Sequence, residues 1–344
     1  MPGFTLTGSM SVSRDLRAAA LLADGRVLVA GGRDMQGSPL LTAELHDPQS
    51  GQWTPTGALH HPHQFGLLVA VGDGAALIGG DEPGQDTVLE TWSPATEQWT
   101  QTIMPPFMSG VDGAWPLGDQ LLVLCFPEAL LDDMEFRAVD LTTGQVDVLP
   151  SPHTARRQSL NCQLSDGRIL LTAGICFGIG GGGGPVEFLT RECEVYDPAT
   201  GGWQPVGDLT VPHMSTDRSG QSLVALPDGG ALMVSGSAVG AQPYTDVVER
   251  WTSSTGVWSL QEPLSERRDA HTTTLLPDGS VLVVGGEGPG GLRSDCHTYD
   301  LATNAWSSAD SLTRPRVGHV ALAETDGTVL VIDGAGDGSC ESFG

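Results

Sequence analysis

The chain has 344 residues, of which 17% are charged, and its 42 acidic against 16 basic side chains give a net charge of −26. That acidity argues against nucleic acid and anionic membrane surfaces as partners, since both would repel it. No apolar run approaches the roughly 20 residues that span a bilayer.

All 16 basic residues are Arg. Arg suits planar, bidentate contacts with carboxylate or phosphate, although a general compositional bias would produce the same count. Residues 1–4 show no basic segment or apolar core of a signal peptide. Six cysteines (125, 162, 176, 193, 296 and 340) make no C-x-x-C spacing, so a zinc ribbon or dithiol redox site is unsupported. A Cys176–Cys193 bridge across one loop stays open; otherwise reduced thiols and a cytoplasmic setting are expected.

In chain order, the first predicted element is a strand pair about the turn Asp24-Gly25, ending in Gly31-Gly32. The same block returns at 73–80, 166–174, 228–236, 278–286 and 326–334, with a worn copy at 118–126 where Cys125-Phe126 replaces the Gly pair. Asp-Gly supplies the positive φ that a tight hairpin needs, and the Gly pair permits close backbone approach. A second block follows five of these copies: Glu44 with Trp53, Glu90 with Trp99, Glu194 with Trp203, Glu249 with Trp258 and His297 with Trp306. In the worn copy Arg137 and Val146 hold these places. Two hairpin strands and two outer strands per copy predict seven four-stranded units.

A Gly-Gly pair followed by a spaced aromatic and Trp resembles the kelch repeat, and the resemblance covers essentially the whole chain. It implies an all-β, seven-bladed β-propeller with blades at about 11–58, 59–104, 105–150, 151–208, 209–263, 264–311 and 312–344 plus 1–10. Phe4 to Met10 matches Trp53 to Leu59, so the N-terminal strand is expected to complete the last blade and close the ring, avoiding exposed sheet edges.

Ten residues before each turn Asp lies one recurring slot at the start of the innermost strand. It holds Arg14, His63, Arg156, Arg218, Arg268 and Arg316; the worn blade has Met108 there. The slot lies in the segment, or link, that joins the outer strand of one blade to the inner strand of the next. If these links share one face, an Arg/His rim around a channel mouth is expected, suited to carboxylate, phosphate or sulfate. The competing reading is that the slot braces each blade through the strand-three Glu. His271 and His319 follow a slot Arg by three residues and are candidate acid/base groups. His60-His61-Pro62-His63 could ligate a metal, though no further ligands can be placed, and no metal or cofactor is expected. Asp15, Asp217 and Asp269, which flank slot arginines, read as salt-bridge partners.

The loop 175–191 carries five consecutive glycines, 180–184; it is expected to be mobile and could form a lid. Phe107 and Trp115 could wall a pocket opposite the slots. The resemblance also spans copper radical oxidases, but of three tyrosines only Tyr244 lies outside ordinary repeat positions, too few for that centre. Two functions stay open. One is a monomeric binding propeller for an anionic small molecule or protein segment. The other is a metal-independent isomerase, lyase or cyclase using a rim His.

Overall fold

The computed structural model describes residues 3–14, 18–80, 87–105, 108, 110–127, 133–179, 185–213, 222–237 and 244–344. The fold is all-β, a seven-bladed β-propeller of four-stranded antiparallel blades. Blade 1 comprises Ala19–Leu21, Val27–Ala30, Ala43–Asp47 and Gln52–Pro55, in that spatial order. Blades 2 to 6 repeat this order. The seventh sheet runs Val320–Ala323, Val329–Ile332, Cys340–Phe343 and then Phe4–Leu6, so the N-terminal strand is its outer member. Two compact units divide the chain: residues 1–4 with 150–323, and residues 5–149 with 324–344.

Second strands such as Val27–Ala30, Ile169–Thr172 and Val281–Val284 are buried on both faces, which is why they read as unbroken apolar runs. Their side chains form cores between neighbouring blades. Leu28 and Leu77 meet Trp92 and Trp99, while Leu170 and Met233 meet Trp251 and Trp258. Each such Leu contributes about 1.5–3 kcal/mol by burial. Aromatic pairs cross the third and fourth strands, with Tyr196–Trp203 at 5.4 Å and Tyr299–Trp306 at 4.8 Å between ring centroids.

The hairpin turns refine the sequence expectation. Gly25 has φ +88°, its N–H donates to Leu22 O at 3.0 Å, and Leu22 N–H donates to Arg26 O at 2.8 Å. This is a three-residue loop with Gly in the left-handed position. Asp24 keeps a negative φ; its carboxylate accepts the Arg26 N–H at 3.0 Å. Asp166, Asp228, Asp278 and Asp326 accept in the same way from the residue two ahead.

The Gly pair stitches one blade to the next. The second residue of the pair donates its N–H to a carbonyl of the following blade. The contacts are Gly32 to His63 O (3.1 Å), Gly174 to His213 O (2.9 Å), Gly236 to Arg268 O (3.0 Å) and Gly286 to Arg316 O (2.8 Å). The loop 175–191 is largely ordered as a hairpin, Ile175–Ile179 against Pro185–Leu189. It is tied to the blade 4 link by reciprocal backbone bonds between Arg157 and Ile175 at 2.8–2.9 Å. Its glycine tip, 180–184, lies outside the described residues, as do Asp15, Arg17, Phe107, Asp217 and Arg218.

Candidate functional site

Each blade begins with a buried apolar residue followed four positions later by the slot residue. The pairs are Met10/Arg14, Leu59/His63, Met104/Met108, Pro152/Arg156, Leu209/His213, Leu264/Arg268 and Leu312/Arg316. Blade 5 therefore uses His213, not Arg218. His213 lies fifteen residues before Asp228, against ten for the other slots, because blade 5 carries extra residues between slot and inner strand. Counting back from the turn missed it; counting forward from Leu209 finds it.

Arg14, His63, Arg156, Arg268 and Arg316 are all buried, none more than 2% exposed. This corrects the expectation of a solvent-facing rim. The Arg14 guanidinium donates to Gly31 O at 3.2 Å, Thr42 O at 2.9 Å and Glu44 Oε1 at 2.8 Å. Arg156 donates to Glu194 Oε1 at 2.9 Å. His63 Nε2 lies 3.5 Å from Glu90 Oε1, and its Nδ1 meets Gly79 O at 2.7 Å. Burial lowers the Arg14 pKa, against the opposing pull of Glu44 and Asp333. Arg14, His63 and Arg156 are thus braces within their blades.

The strand-three carboxylate does a second job, capping the first residues of the link. Glu44 accepts Ser11 N–H at 2.8 Å, and Glu194 accepts His153 N–H at 2.7 Å and Thr154 N–H at 3.1 Å. Glu90 accepts the N–H groups of His60 and His61, at 3.0 and 2.8 Å. Glu249 accepts those of Thr210 and Val211, at 2.9 and 3.2 Å. Burial alone would raise the Glu90 pKa; hydrogen bonds from His63, His60 and His61 outweigh it and bring it down to about 2. The HHPH cluster thus serves Glu90: His60 Nδ1 is 3.0 Å from Glu90 Oε2. Among the described residues, no group of three or more His, Cys, Asp or Glu is placed to hold a metal.

Two blades depart from this pattern. In blade 3 both members change: Met108 takes the slot, and Arg137 stands where Glu would be and pairs with Glu135. In blade 6 the cation stays and the Glu is replaced by His297. Arg268 turns instead to Asp295, with Nη2 to Oδ2 at 2.5 Å and Nη1 to the Asp295 carbonyl at 3.1 Å. Arg293 Nε donates to Asp295 Oδ1 at 2.9 Å, and His297 Nε2 lies 3.0 Å from Oδ2. Burial would raise the Asp295 pKa, but His297, Arg268 and Arg293 together hold it far below the usual carboxylate range. The side chain of Asp295 is 36% exposed, whereas Glu44, Glu90, Glu194 and Glu249 are at most 3% exposed. Arg293 also pairs with Glu266, which is 57% exposed. Blade 6 is thus a braced blade whose ion pairs reach solvent.

His271 and His319 lie at the starts of adjacent inner strands, each at most 1% exposed. Burial, with Arg268 and then His319 nearby, lowers the His271 pKa to about 3; burial and Arg316 lower that of His319 to about 3. Thr272 Oγ1 sits 2.9 Å from His319 Nε2. Both imidazoles are therefore held in the neutral form and shut off from solvent. Cys176 and Cys193 are free thiols. Trp115 is buried against Phe136, with 6.4 Å between ring centroids, and so fills core.

Together these features define a β-propeller with an internally braced link in most blades and two blades, 3 and 6, that diverge from it. Among solved structures, the chain is similar to that described as "Structure of YjhT", at 14% identity, with a TM-score of 0.56, covering 98% of this chain and 95% of that chain. A likeness at that identity shows the fold alone. No family model matches the chain, and no curated protein matches it.

Proposed function

We propose that this chain is a kelch-type propeller that binds an anionic group, on a small molecule or a partner segment, at the link end of blade 6. The observation that carries this reading is the exposure of the Asp295 cluster where sister blades bury a Glu. Arg293 is the receptor group. Asp295 fixes its Nε edge and also accepts from its Nη2 at 3.4 Å, while Nη2 pairs with the mostly exposed carboxylate of Glu266. Arg293 is only 12% exposed, but water reaches the Glu266 side of the pair and screens it, so an incoming anion can take the place of Glu266. Fixing a guanidinium in advance lowers the cost of ordering it on binding. The neutral, buried state of His271 and His319 favours binding over acid–base catalysis.

The test is calorimetric titration with citrate, phosphate and sulfate. Arg293→Ala is expected to weaken binding by at least about tenfold, or 1.4 kcal/mol, with the melting temperature held within about 2 °C. Absence of binding by all three anions, or equal affinity in Arg293→Ala, would overturn the reading.

A further inference from the structure

The sister blades specify what the blade 6 ligand should look like. In blades 2, 4 and 5 the first two link residues bend at the same place and point their N–H groups at one Glu carboxylate, at 2.7–3.2 Å. The blade 6 counterparts are Ser265 and Glu266. Their backbone is anchored alike: Leu264 N–H donates to Asp246 O at 2.9 Å, as Leu59 does to Leu41 O at 2.8 Å and Leu209 to Arg191 O at 2.9 Å. Yet His297 stands in the Glu place, and the N–H groups of Ser265 and Glu266 meet no acceptor among the described residues.

We infer that the anionic group bound at blade 6 is a carboxylate, seated on the N–H groups of Ser265 and Glu266 and on the guanidinium of Arg293. It would thereby take the part that the chain's own Glu plays in blades 2, 4 and 5. This rests on the anion-binding reading above and specifies its chemistry. Two adjacent N–H donors beside a guanidinium match the two in-plane oxygens of a carboxylate. A phosphate or sulfate would bring further charged oxygens against Asp295 and Glu266, and like charges that close repel.

The experiment uses the full chain, amide-labelled for NMR, titrated with acetate, phosphate, and N-acetyl-Gly-Glu-Gly-amide beside its Gln analogue. Acetate and the Glu peptide should shift the Ser265 and Glu266 amide resonances, and phosphate and the Gln peptide should not. A stronger response to the Glu peptide than to acetate would assign the carboxylate to a partner segment; an equal or weaker one would assign it to a small acid. His297→Glu should supply the carboxylate internally, raise the melting temperature by a few degrees and abolish the acetate response. His297→Gln should keep that response, which guards against loss through misfolding. If anions bind but these two amides stay silent, or answer phosphate equally, the carboxylate inference fails while anion binding stands. If no anion binds at all, the parent reading fails.

Discussion

Blades 4 and 6 lie in the same compact unit and enter their sheets alike, with a buried apolar residue and, four positions on, a fully buried arginine. In blade 4 the arginine meets Glu194, which also caps two link N–H groups, and both charged side chains are out of solvent. In blade 6 the carboxylate comes from two residues earlier, at Asp295, and a third of it faces water. One repeat position, Glu194 against His297, separates a buried brace from an open cluster of two arginines and a histidine around one acid. On the binding reading proposed above, withdrawing one buried carboxylate while keeping its cation is what opens this blade to a ligand.

The comparison is tested most severely by truncating each carboxylate. Glu194→Ala strands a buried guanidinium and two backbone donors, and should cost about 3–5 kcal/mol. Asp295→Ala also strands the buried Arg268 guanidinium but uncaps no link N–H, and screening on the exposed side of the cluster should keep its cost below that of Glu194→Ala. Urea unfolding midpoints of the two variants measure the difference; equal losses would erase the distinction between the blades.

A smaller effect concerns acid. His271 and His319 have folded pKa values near 3, below the roughly 6.5 of an unfolded histidine. The unfolded chain therefore binds more protons between those values, and stability rises with pH across that window. The contribution is full above about pH 6.5 and is lost as pH falls towards 3. Each histidine should cost about 2 kcal/mol between pH 7 and pH 5. His271→Gln should flatten the stability–pH curve over that interval. An unchanged slope would mean that this imidazole is not held neutral by burial.

Much of the fold is legible in the sequence because its devices are local. Turn Asp, Gly pair, strand-three Glu and strand-four Trp recur at fixed spacing, each answering a backbone or packing demand inside one blade. The site is less legible. Arg and His at the slot suit a ligand rim and a buried brace equally well, and only burial separates the two. Arg218 was reached by counting from Asp228 across an insertion that shifts the slot to His213. The informative signal was the break in the Glu series at His297. Its meaning depends on Asp295 and Arg293, which follow no repeat rule and are brought to Arg268 by the fold.

The smallest expected effect asks why the first residue of the pair is so often Gly. Residues 31, 79, 173, 235, 285 and 333 have φ between +52° and +84°, yet three of them are Ala, Ser and Asp. Positive φ alone therefore does not demand Gly. Close approach does: a Cβ on Gly285 would lie 2.8 Å from Arg316 O and 3.2 Å from the His319 ring. Gly285→Ala should cost about 1–2 kcal/mol through that overlap. The reverse change, Ala173→Gly, relieves a strained φ of +59° but gives up a buried methyl worth about 0.8 kcal/mol. It should change stability by no more than about 0.5 kcal/mol, because the left-handed strain is largely offset by the lost methyl and the added chain entropy. If thermal melts show both substitutions equally costly, backbone angle rather than blade-to-blade distance selects Gly at this position.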